Sequence, residues 1–263
     1  MCLLAICMLF LTACTDTAVS TAPELRVGIS PHYPPLVYRD NGKLAGIDVD
    51  AAQLLAKKLN RKLVFVEKPF TDLIPALQTG NIDIIMSGLS ITPARSQQVL
   101  FTNPYLDAGQ VIMLRVNDAS RLGHKDAIFL PRAKIAVVTG STGATFARKH
   151  LSFANITQCN SATQAVDKLQ KGNVDFLIHD APTSWALASD KTKQDIISLN
   201  LRLTEEHLAW AIAKNQTALF NSVNAQLKIM KQSGEMNAII HKWLPVTIEI
   251  PQKPQQTEGP QER

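Results

Sequence analysis

The 263-residue chain is 46% apolar and 19% charged, with a formal net charge of +5 at neutral pH. That composition excludes an intrinsically disordered protein, and the length allows one large core or two smaller ones. Lysine and arginine are dispersed rather than clustered among aromatics, which argues against a nucleic-acid partner.

The chain opens with MCLLAICMLFLTAC. This apolar run is too short to span a bilayer and has the length of a signal-peptide core. Its end, Leu11-Thr12-Ala13-Cys14, resembles the bacterial lipoprotein signal, in which the cysteine is lipidated and becomes the first mature residue. No Lys or Arg precedes the run, so either the terminal amine supplies the positive charge or the true start lies upstream. Residues 1–13 are therefore expected to be a lipoprotein signal peptide, Cys14 the lipidated residue and 14–23 a tether. Cys2 and Cys7 would leave with the signal. Cys159 would then stand alone, without a disulfide, as a packed residue after the strand-like ANITQ.

Strand-like and helix-like runs alternate through the rest of the chain. Leu25–Ile29, Lys62–Glu67, Ile82–Met86, Val111–Arg115, Lys134–Val138, Val174–His179 and Leu208–Ala213 are rich in Val, Ile and Leu. Between them lie amphipathic segments at Val49–Asn60, Thr71–Thr79, Thr142–Leu151, Ser161–Lys171, Ala181–Asp190 and Ala218–Ser233. The alternation predicts α/β layers with largely parallel sheets.

An internal echo predicts two such layers. LQTGNIDIIMSG at 77–88 matches LQKGNVDFLIHD at 169–180: a helix end, a glycine, an Asn, and an apolar strand with Asp two residues after that Asn. Gly80 and Gly172 are placed to close their helices in the left-handed conformation. The entries LRVGISPHYPP and KIAVVTGSTGA rhyme in the same way. The reading is two lobes: residues 24–108 with 207–246, and residues 109–206. The chain crosses between them near Tyr105–Gly109 and Glu206–Trp210. The Pro/Gln-rich tail, 247–263, is expected to be disordered.

Ligands of open α/β sheets gather beyond the carboxyl ends of strands, which singles out four places. Ser30 to Pro35 follow the first strand, and Gly88 to Arg95 follow the Ile82 run. Gly140 to Gly143 open a helix without the lysine of a phosphate loop, and Asp180 ends the echoing strand. Thr92-Pro93 is a helix start, which places Arg95 in the first turn beside Ser90. The nineteen residues 87–105 hold no acid to pair with that guanidinium. An arginine on one lobe and an aspartate on the other suit a zwitterion, most simply an α-amino acid.

The stretches LRVGISPHYPPLVYRDNGKLAGIDVDAAQLLAKKL, FTDLIPALQTGNIDIIMSGLSITPARSQQVLFTNPY, KIAVVTGSTGATFA and GNVDFLIHDAP resemble the amino-acid-binding members of the family-3 extracellular solute-binding proteins. The similarity runs from about Glu24 to Leu244. It implies a periplasmic-binding-protein type II fold, two α/β lobes joined by a two-strand hinge. It also implies roles. Arg95 and Ser90 would hold the ligand carboxylate with the Thr142 amide, and Asp180 would take the ammonium with the Gly88 carbonyl. Tyr33 and Phe70 would flank the ligand side chain. Ser30 stands where relatives often carry an acid, and Val138 where the glutamine binder has a lysine, so the pocket is expected to favour a neutral or polar amino acid.

The implied partners are an amino acid, an ABC-transporter permease, and a bacterial membrane reached through lipid on Cys14. The location would be the periplasm or cell surface. The protein is expected to act as a monomer without metal or cofactor. A cyclohexadienyl-dehydratase-like enzyme on the same scaffold, with His179 as general acid, is the alternative. A ligand-sensing lobe for a signalling partner is another.

Overall fold

The computed structural model describes residues 22–124, 126–189, 195–199 and 201–244. The expected signal peptide, Cys14, nearly all of the tether and the tail lie outside them.

The first part of the chain forms β1 (Glu24–Ile29), a small meander of β2 (His32–Tyr33), β3 (Val37–Asp40) and β4 (Lys43–Ala45), α1 (Ile47–Lys58) and β5 (Lys62–Glu67). Next come α2 (Leu73–Gln78), β6 (Ile84–Ile85), α3 (Pro93–Ser96), β7 (Val99–Phe101) and β8 (Leu106–Ala108). The middle part holds β9 (Gln110–Arg115), α4 (Ala119–Leu122), β10 (Lys134–Val138), α5 (Thr142–His150) and β11 (Asn155–Cys159). It continues with α6 (Ala162–Gln170), β12 (Phe176–Asp180), α7 (Ala181–Ala188) and β13 (Ile196–Ser198). The chain returns through β14 (Glu206–Leu208), β15 (Ala211–Ala213), α8 (Thr217–Gln232) and α9 (Glu235–Trp243).

Two five-stranded sheets result, ordered β5-β1-β6-β15-β7 and β11-β10-β12-β9-β13. In each, three parallel strands are followed by two antiparallel steps. The internal echo is thus an echo of topology. Gly80 and Gly172 both sit at φ +73° behind their helices, as a left-handed closing residue requires. The paired aspartates do the same job in each lobe. Asp83 accepts from the Arg26 amide at 2.8 Å, and Asp175 from the Lys134 amide at 3.2 Å.

Strands β8 and β14 pair antiparallel and form the two-strand hinge between the lobes. This explains a departure from the expected parallel sheets. Strand β9 runs straight on from β8, and β15 follows β14 after two residues. Each enters its sheet from the hinge, where the parallel strands end, so each runs against its neighbours. The Leu208–Ala213 run is accordingly split: Leu208 pairs in the hinge and Ala211 in the first sheet. The Ile82–Met86 run keeps only a two-residue ladder, although the Asp83 and Met86 amides still bond Arg26 and Gly28 carbonyls.

Both sheets are covered on both faces, so their strands read as near-continuous apolar runs. In β10, Ile135 and Val137 pack toward α5, while Ala136 joins the opposite core beneath α6. In the first lobe, Leu55, Val223 and Met230 from the helices cover one face, with the fully buried Trp210 beside them. Leu73 and Leu77 of α2 cover the other. Cys159 is buried in the second lobe, where desolvation raises its thiol pKa.

Candidate functional site

The carboxyl ends of the parallel strands in both sheets face one crevice between the lobes. All ten residues singled out in the sequence line it: Ser30, Tyr33, Phe70, Gly88, Ser90, Arg95, Val138, Thr142, His179 and Asp180.

Arg95 is set by α3. Thr92 caps that turn, its hydroxyl accepting the Arg95 amide at 3.2 Å, and Pro93 occupies the first helical position. The guanidinium donates to the Ser90 carbonyl at 2.8 Å and, across the crevice, to the Gly140 carbonyl at 3.1 Å. It lies over the Phe70 ring, 5.6 Å from the centroid, in cation–π range. Among the described residues no carboxylate pairs with it. Burial lowers its pKa to about 10, with the charge of Glu206 pulling the other way, so it stays cationic at neutral pH.

On the opposite wall, Ser141 caps α5 by accepting from the Ala144 amide at 3.0 Å. Thr142 is the first helical residue, so its amide has no acceptor within the helix. Asp180 occupies the cap position of α7 but makes no side-chain cap bond. Its carboxylate instead accepts from the Gln110 Nε2 at 2.7 Å and from the Tyr33 hydroxyl, which reaches across from the first lobe. Burial, followed by the charge of Glu206, holds its pKa well above the usual carboxylate value.

His179 stacks at a tilt against Tyr33, with centroids 5.1 Å apart. Its Nδ1 accepts the Asp180 amide at 2.8 Å, and burial lowers its pKa to about 4. The ring is therefore neutral at pH 7, and its 3.6 Å approach to the Asp180 carboxylate is not an ion pair. A neutral imidazole that spends a nitrogen on the backbone is poorly placed as a general acid.

Sequence reasoning missed part of the site. Asn160 and Ser161 line the crevice from the end of β11. The echo could have found them, because β11 is the counterpart of β5, whose following loop supplies Phe70. Gln110 and Glu206 lie behind the lining, at the hinge ends of β9 and β14. In the sequence Glu206 reads only as a hinge boundary, and no carboxylate pair is expected there. The structure makes one, with Gln110 Nε2 at 2.7 Å from Asp180 and 3.3 Å from Glu206.

Known proteins agree with this architecture. Over 238 residues the chain is 27% identical to the arginine-binding periplasmic protein of Mannheimia haemolytica, covering 89% of this chain and 97% of that one. It is 28% identical over 211 residues to the glutamine-binding protein of a Bacillus subtilis ABC transporter, covering 78% and 74% respectively. A Wolinella succinogenes structure, described as an ABC-transporter binding component complexed with lysine, superposes with a TM-score of 0.80. It is 30% identical, with 85% of this chain and 97% of that one covered. All three are binding proteins by description, not enzymes. Residues 25–246 match the bacterial extracellular solute-binding proteins, family 3, and the chain belongs to that family.

Proposed function

We propose that the protein is an extracytoplasmic solute-binding lipoprotein that captures an amino acid between its lobes and delivers it to an ABC importer. The observation that carries this reading is the presence of Arg95 and Asp180 on opposite walls of one crevice. A guanidinium with no carboxylate partner among the described residues, and a buried carboxylate, are complementary to the two charges of a zwitterion. Arg95, Ser90 and the Thr142 amide take the α-carboxylate. Asp180 and the Gly88 carbonyl take the ammonium, and Tyr33 and Phe70 flank the side chain.

Ser30, Val138, Asn160 and Ser161 add no charge to the lining, which favours a neutral or polar side chain. The ligand shifts the hinge equilibrium because it touches both lobes at once. The lobes are residues 24–108 with 207–246, and 109–206. Lipid on Cys14 anchors the monomer to a bacterial membrane, where it meets the permease. A thermal-shift screen of the twenty L-amino acids, followed by calorimetry on those that raise the melting temperature, tests the reading. Neutral or polar amino acids are expected to give the largest shifts. No shift with any of the twenty overturns the assignment.

A further inference from the structure

We propose that Glu206, on hinge strand β14, is a positioning residue for ligand capture: acting through Gln110 and Thr142, it sets the orientation and protonation of Asp180, so that amino-acid binding releases a proton. This rests on the reading of Asp180 as the ammonium acceptor.

The geometry is a closed relay. The Thr142 hydroxyl donates to Glu206 Oε2 at 2.8 Å, and the Thr204 hydroxyl donates to Oε1 at 2.7 Å. Gln110 Nε2 then faces Thr142 Oγ1 at 2.9 Å, Asp180 Oδ1 at 2.7 Å and Glu206 Oε1 at 3.3 Å. Three acceptors around one amide nitrogen fix which way the glutamine points. Gly143 makes room for it, since a Cβ there would lie 2.6 Å from Gln110 Oε1.

Both acids are buried, at 6% and 9% exposure. The groups facing them are few. Arg95 on α3 spends its hydrogen bonds on two backbone carbonyls. His179 on β12 is neutral, and Tyr33 on β2 offers a hydroxyl that serves either protonation state of Asp180. No lysine or arginine among the described residues pairs with either carboxylate. Two like charges sharing one amide in a desolvated site oppose joint ionisation, which favours the protonated form of Asp180. Their influence is visible in the upward shift at Asp180, caused first by burial and then by Glu206. An arriving ammonium replaces that proton. Asp180 becomes a carboxylate, the ammonium neutralises it, and the proton leaves to buffer.

The test is titration calorimetry with L-glutamine and L-arginine, whose own charges are constant between pH 5 and 8. The remaining amino acids follow in turn if neither binds. Each titration is run in two buffers of different ionisation enthalpy. The wild type is expected to release a proton, with affinity rising up to tenfold per pH unit below the midpoint. Glu206→Gln should move that midpoint down by about one unit or more, while Glu206→Asp, which keeps the charge, should not. Binding without proton release in the wild type overturns the inference and leaves the proposed function standing. So does a Glu206→Gln protein that binds more weakly at an unmoved midpoint, which would make the role structural. If Glu206→Gln fails to fold, the wild-type proton count decides alone. Failure of every amino acid to bind overturns the functional reading and this inference together.

Discussion

The Asp48 carboxylate accepts a hydrogen bond from the Trp210 indole at 3.2 Å, joining the first turn of α1 to the segment between the hinge and β15. Its other oxygen accepts the Gly88 amide at 2.7 Å, so one buried acid ties a crevice-lining loop to the return crossing. Burial raises its pKa to about 6, against the opposing pull of these donors. A carboxyl raised above its unfolded value of 3.8 contributes stability that is full below pH 3.8 and lost as pH climbs through 6. Asp48→Asn removes the titration. Relative to that variant, the wild type should gain up to about 3 kcal/mol as pH falls from 7 to 4. Urea denaturation at several pH values measures the gap. A gap that stays constant would refute the assignment.

Arg95→Ala removes the cation held over Phe70 and between two carbonyls. Loss of one partner of a buried charge pair costs about 3–5 kcal/mol, so amino-acid affinity should fall by roughly two to four decades. Calorimetry with the best ligand from the thermal screen reads this directly. Unchanged affinity would place the carboxylate elsewhere.

Gly143→Ala probes the same region without altering a charge. The added methyl would meet Gln110 Oε1 at 2.6 Å and the Ile178 side chain at 3.2 Å. Overpacking of this kind costs about 1–3 kcal/mol. The variant should lose affinity by displacing the glutamine amide from Asp180. Wild-type affinity with lowered melting temperature would mean that Gln110 does not matter to the ligand.

The pair His207–Asp107 provides a contrast. Its atoms are 2.7 Å apart across the hinge strands, yet both side chains are 60% exposed. Exposed pairs contribute little. Asp107→Ala should change stability by less than about 0.5 kcal/mol and leave binding intact. A large loss of stability would show that this hinge pair is energetically coupled to the fold.

Much of this arrangement was legible because local rules and the repeat agreed. Thr92-Pro93 spelled a helix start that aims Arg95, and the LQ(T/K)GN(I/V)D echo marked equivalent strands, one leading into the Gly88 loop and the other ending at Asp180. What the sequence concealed was set by long-range pairing. Strand direction in β9 and β15 depends on entry from the hinge, which no local pattern encodes. Gln110 reaches Asp180 across seventy positions, and Glu206 across ninety-six from Gln110. Their neighbours, a glycine and a glutamate-histidine pair, look like ordinary linker residues. The cap bond available to Asp180 from local sequence was outcompeted by two donors arriving from elsewhere.

The placement of β15 between β6 and β7 fixes the order in which the molecule can be completed. During synthesis from the amino end, the middle of the chain carries all five strands of its own sheet and can assemble as soon as it emerges. The earlier segment must wait, one strand short and open along a seam of Ile85 and Leu100, until Ala211–Ala213 arrives to fill the gap. The half made first is therefore finished last, and it remains the vulnerable half until then.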